Sequence, residues 1–188
     1  MSCIVAVTDG KKIWMGADSA GTSPNTLDQV SCKTPKIYKE GDFIIGTVGC
    51  LRGMQLMQNY LDMEERGEAI AAVPEATPFE IVSGLVEDMR QLFSHYGYTQ
   101  MDSGKETGGN FLIGYRGSIF LVQPEYDIIE PGFPYYSVGN GDSAAFGVLY
   151  ATRERRVSPK DRVIMALEAA EMFNAAVRRP WVIESVGG

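Results

Sequence analysis

The sequence predicts an α+β fold in which antiparallel sheets are covered by helices. Three observations carry this. Short apolar runs are joined by hairpin turns such as Asp9-Gly10 and Arg116-Gly117, which set neighbouring strands antiparallel. Two capped helix starts, Thr77-Pro78-Phe79-Glu80 and Ser158-Pro159-Lys160-Asp161, each open a long stretch with apolar residues at helical spacing. The order is strands, two helices, strands, two helices and a final strand, as in layered α+β domains. With 188 residues, one domain over 1–188 is expected, long enough to bury a core.

Element by element, Cys3-Ile4-Val5-Ala6-Val7 and the run through Gly16-Ala17 read as one hairpin. A polar loop is expected from Gly21 to Pro35. Lys36–Lys39 and Asp42–Thr47 read as a second hairpin turning at Glu40-Gly41. Leu51, Met54, Met57 and Leu61 then recur at helical spacing, before a linker around Val73-Pro74. After Thr77 as N-cap, Ile81, Leu85, Met89 and Leu92 form a wide stripe, suited to packing on a sheet. Met101–Gly109 is polar and Gly-rich and reads as a mobile loop. Strands resume at Asn110–Tyr115 and Ser118–Val122, with a short one near Tyr126–Glu130. Ser137-Val138-Gly139-Asn140-Gly141-Asp142-Ser143 turns into a helix. A last helix runs from Ser158 to about Ala176, and Trp181-Val182-Ile183 closes the chain as a strand.

Composition excludes several functions. A hydrophobic content of 45% and a charged content of 22% are those of a soluble globular protein. A net charge of −7 argues against a nucleic-acid partner, which would meet a basic face. Arg155-Arg156 and Arg178-Arg179 read as solvated or interface surface. No signal-peptide core or membrane-length apolar run is present, and the cysteines Cys3, Cys32 and Cys50 lack metal-ligand spacing. A reduced, cytoplasmic protein without membrane attachment, metal or cofactor is expected. The single histidine, His95, sits at the tail of a helix, where the dipole favours it. Any hydrolytic base is therefore expected to be something other than imidazole. Cys3 and Cys50 read as small core residues.

Ser2 is the residue that matters most. With Met1 removed, it would carry a hydroxyl and a free α-amine together. An α-amine titrates near ~7.7–8.0 and can act as the base that a serine hydroxyl needs. A lysine ammonium beside it would lower the amine pKa, and a carboxylate would hold that lysine. Asp18, with Lys33 or Lys36, supplies these parts if the first two hairpins pair.

Ser2-Cys3-Ile4-Val5-Ala6-Val7, Gly16-Ala17-Asp18-Ser19 and Lys33-Thr34-Pro35-Lys36-Ile37-Tyr38 resemble the proteasome β-subunits and the HslV peptidase, which are N-terminal nucleophile hydrolases. The resemblance implies a four-layer αββα sandwich with two antiparallel β-sheets between helix layers. It also implies a mature first residue as nucleophile, with an aspartate sixteen positions on, the separation of Ser2 and Asp18 here. By count from the Gly46 turn, Lys33 takes the place of the family's lysine, with Lys36 as the alternative. Gly46-Thr47-Val48-Gly49-Cys50 resembles the turn whose amide forms the oxyanion hole, Gly49 first and Cys50 next. Substrate is expected as an extended strand beside Thr22 and this turn, against Val48 and Cys50.

The turn at Asp142 or Ser143 resembles the one carrying a supporting serine. Near the end, Asn174, Val177 and Arg178-Arg179 stand where the family has an aspartate, a serine and Gly-Gly. The resemblance thus implies hydrolysis of peptides or unfolded proteins in a homo-oligomeric ring, in many members fed by an ATPase partner. The altered positions leave two further readings, a non-catalytic ring subunit and a small-molecule amidase.

Overall fold

The computed structural model describes residues 2–188 except Pro24, Leu27 and Cys50, together with the backbone but not the side chains of Met63, Glu64, Glu68 and Ala71. The sequence readings that fall on Met1, Pro24 and Cys50 therefore lie outside the described residues.

Strands β1 (Cys3–Thr8) and β2 (Lys12–Ala17) form the expected first hairpin. The Asp9 carboxylate ties the turn by accepting from the amides of Lys11 and Lys12 at 2.9 and 2.7 Å. Where a loop is expected, β3 (Ala20–Thr22) and β4 (Gln29–Ser31) pair as a short ribbon. Three residues are too few for an alternating pattern to show. The second hairpin is β5 (Ile37–Glu40) with β6 (Phe43–Val48). Three helices follow instead of two: α1 (Arg52–Tyr60), α2 (Met63–Ala71) and α3 (Pro78–His95). The added helix α2 begins where the Asp62 carboxylate accepts from the Glu65 amide at 2.8 Å, an N-cap the polar sequence obscures. Helix α3 has the expected capping box between Thr77 and Glu80.

The segment read as a mobile loop is a hairpin, β7 (Gln100–Asp102) with β8 (Lys105–Thr107). Its turn residues Ser103 and Gly104 both have positive φ, at 51° and 85°, as the tightest hairpin turns require. Then come β9 (Asn110–Tyr115), β10 (Ser118–Val122), β11 (Ile128–Ile129) and β12 (Tyr135–Gly139). Helices α4 (Asp142–Ala151) and α5 (Pro159–Phe173) and strand β13 (Val182–Gly187) complete the chain. Helix α5 stops short of Ala176 because Asn174 turns extended and caps it.

Two antiparallel sheets, in the orders β12-β1-β2-β13 and β11-β10-β9-β6-β5, lie face to face. Along β1 the side chains alternate: Ile4 and Ala6 pack between the sheets, against Ile37, Ile44 and Leu112. Cys3, Val5 and Val7 face the other way, onto Leu149 of α4 and Val163, Leu167 and Ala170 of α5. On the far side, α1 and α3 cover the second sheet through Met54, Met57, Leu85, Met89 and Phe93, which meet Phe111, Ile113 and Phe120. This is the four-layer αββα sandwich with antiparallel sheets. Among the described residues no helix is long and apolar enough to cross a membrane.

Candidate active site

The residues singled out at the start of the chain gather at one end of the two sheets. Ser2, just before β1, is buried (2% exposed). Its carbonyl accepts from the Asn140 amide at 2.8 Å, fastening Ser2 to the turn between β12 and α4. That turn needs glycine. Gly139 has φ +108°, and a Cβ there would lie 2.2 Å from the Ser2 carbonyl oxygen.

Asp18 follows β2 and is fully buried. Its Oδ1 accepts from the Cys3 amide at 2.9 Å and from Lys36 Nζ at 2.9 Å, and its Oδ2 accepts from the Ala20 amide at 3.0 Å. A buried carboxylate is tolerated only when paired and hydrogen-bonded in this way. Lys36 immediately precedes β5, so the ion pair joins the two sheets. The Lys36 carbonyl in turn accepts from the Thr47 amide at 2.9 Å, which fixes the lysine relative to the Gly49 turn.

Lys33 corrects the count from the Gly46 turn. It lies exposed three residues upstream, and the lysine at the buried aspartate is Lys36. Counting along the chain fails because the pairing depends on how the start of β5 docks against the end of β2 across the two sheets, which spacing alone does not set.

Gly49 has φ +91°, lies exposed, and has open space where a side chain would be. With Val48 it lines a cleft of about 470 Å³ that Gly139, Asn140 and Asp142 also line. Asp142 opens α4 and is half-buried, whereas Ser143 is exposed and donates its hydroxyl to Asp142 Oδ1 at 3.2 Å. Asn174 reaches the same turn: its Nδ2 donates to the Asn140 carbonyl at 2.7 Å, and its Oδ1 accepts from the Ala176 amide at 2.9 Å. Thr22, on β3, donates to the Ala176 carbonyl at 3.5 Å. Cys3 sits beneath Ser2 with its Sγ 3.8 Å from Ser137 Oγ, and burial pushes its thiol up to about 12. It is a packing residue, not a nucleophile.

The sequence reading passes over Asn140, whose amide holds Ser2, and Tyr136 and Phe146, which wall the cleft. The Gly-Asn-Gly turn itself was the available signal for Asn140. Nothing local marks the two aromatics, because β12 and α4 meet only in the folded chain.

No family model matches the sequence, and no curated protein matches it. Solved structures do match its fold. The chain is similar to Thiobacillus denitrificans BPH in complex with epoxomicin, with 16% identity, a TM-score of 0.78 and 98% of each chain covered. It is also similar to HslV from Trypanosoma brucei, with 15% identity, a TM-score of 0.70 and 99% of each chain covered. The chain has the HslV-like N-terminal nucleophile hydrolase fold. Anbu, the ancestral beta-subunit from Yersinia bercovieri, shares this fold at 15% identity and a TM-score of 0.66, with 98% of this chain and 81% of Anbu covered. In this fold the strand carrying Ser2 lies in the inner layers, and the Asp18–Lys36 pair sits beside it where the two sheets meet.

Proposed function

We propose that the protein is a peptide-bond hydrolase with Ser2 as its N-terminal nucleophile once Met1 is removed. The observation that carries this reading is the buried Asp18–Lys36 pair hydrogen-bonded to the amide that follows Ser2. In the proposed reaction the Ser2 hydroxyl attacks the substrate carbonyl while its own α-amine takes the hydroxyl proton. The charge of Lys36, held by Asp18, lowers the pKa of that amine and favours its unprotonated form. The Gly49 amide stabilises the oxyanion. The α-amine then gives its proton to the leaving nitrogen, which leaves an acyl ester on Ser2. Water, deprotonated by the same amine, releases the acid and regenerates the serine.

Substrate lies extended between Thr22 and the Gly49 turn, against Val48. Asp142, Ser143 and Asn174 support the N-terminal residue from the opposite turn. The working protein is a cytoplasmic homo-oligomeric ring acting on peptides or unfolded proteins, with an ATPase as the partner that would feed it.

A non-catalytic ring subunit is the second reading. It is favoured by Asn174, an amide that spends both ends on backbone contacts, to Asn140 and Ala176. A fluorogenic peptide library decides between them. Hydrolysis that is abolished in both Ser2→Ala and Lys36→Met supports the peptidase, and turnover persisting in Ser2→Ala overturns it. Turnover of small amides but not of peptides would mark an amidase on the same fold.

A further inference from the structure

The cleft beside Ser2 has apolar walls and one carboxylate. Tyr136, Leu121 and Phe146 line it, with the rings of Tyr136 and Phe146 edge to face at 5.0 Å. Asp142 is the only acidic or basic residue on its lining among the described residues. It forms no ion pair with any described lysine or arginine. Its one side-chain hydrogen bond comes from Ser143, which leaves most of its acceptor capacity unused. The cleft touches the nucleophile's surroundings through Gly49 and through Gly139 and Asn140, which pack on and bond the Ser2 carbonyl.

We infer that this cleft is a specificity pocket for a basic side chain, lysine or arginine, flanking the scissile bond. Such a side chain has an apolar stem and a charged head, and here aromatic walls lead to a carboxylate. A cation would pair with Asp142 and lie near an aromatic face. An acidic side chain would meet a like charge, so discrimination arises from repulsion as well as attraction. The inference rests on the peptidase reading for where the substrate runs, but the pocket can be tested without turnover.

The test uses full-length Ser2→Ala protein and fluorescently labelled tetrapeptide amides that differ at one position, with Lys, Leu or Glu, scanned through all four positions. Binding is read by fluorescence anisotropy. At one position, the Lys peptide is expected to bind at least about tenfold more tightly than the Glu peptide. That preference should disappear in Asp142→Asn and invert in Asp142→Lys, each made in the Ser2→Ala background and checked for fold by circular dichroism. Equal binding of the three peptides at every position, or a Lys preference that survives in Asp142→Lys, overturns the inference. If instead Asp142 serves only to position the α-amine, Asp142→Asn in the Ser2-containing enzyme lowers kcat equally for all peptides and leaves their ranking unchanged, which also overturns it. Charge-dependent binding without cleavage by the Ser2-containing protein would remove the peptidase reading and keep the pocket. Cleavage without charge preference would do the reverse.

Discussion

Asp18 accepts from two backbone amides and one ammonium while entirely shielded from water, so each donor matters more than it would at the surface. Taking away one member of a buried pair leaves an uncompensated charge, at a cost of about 3–5 kcal/mol. Lys36→Met is therefore expected to lower the unfolding free energy by about that amount in urea titration, and Asp18→Asn/Lys36→Met to recover part of it. Lys33→Met, at an exposed position, should change stability by no more than about 0.5 kcal/mol. These three variants separate the two lysines on stability alone.

Cys3 offers a second check at this scale. Its thiol stays protonated far above neutral pH because burial disfavours the thiolate. The Cys3 peptide should remain unalkylated when folded protein is treated with iodoacetamide at about pH 8 and should label fully in denaturant. The sign of the linkage follows. Between about 9 and 12 the folded chain keeps a proton that the unfolded chain gives up, so this group's contribution to stability is complete below that window and is lost as pH rises through it. That Asp18 lies next to the residue after Ser2 was readable from the sequence, because one hairpin sets the start of β1 opposite the end of β2. The choice between Lys33 and Lys36 was not readable, because it depends on how β5 docks against β2 across the two sheets.

At the scale of elements, the turn from β12 to α4 holds Ser2 in place, which one glycine substitution tests, while a second probes α4. Gly139→Ala would force a side chain onto the Ser2 carbonyl at a left-handed φ, so it should lower the melting temperature and abolish hydrolysis. Gly147→Ala, on the exposed side of α4 with nothing within 4 Å of the new methyl group, should raise stability by up to about 1 kcal/mol. Hairpins and capped helices were legible because Asp9-Gly10, Arg116-Gly117, Thr77 and Ser158 act through local chemistry. The elements that were missed, β3, β4, α2, β7 and β8, are short or polar and take their form from neighbours.

For the whole molecule, the four layers bury β1 from Cys3 to Val7 and β6 from Phe43 to Thr47 without a break. At the end where β1 begins, Ser2, the Asp18–Lys36 pair, the Gly49 turn and the Gly139–Asp142 turn come together from four separate stretches of chain. That helices cover antiparallel sheets followed from the order of elements and their apolar periodicity, and the four-layer stacking from the resemblance. The convergence did not, since it depends on strand order within each sheet. If this convergence exists to activate an N-terminal serine, cell-made protein should lack Met1, and a peptide epoxyketone should react with both the hydroxyl and the α-amine of Ser2. Intact-mass spectrometry before and after treatment tests this most directly. The expected result is a mass short of one methionine that gains a single inhibitor adduct mapping to Ser2, with no adduct on Ser2→Ala. Protein that keeps Met1, or that acquires the same adduct in Ser2→Ala, would contradict it.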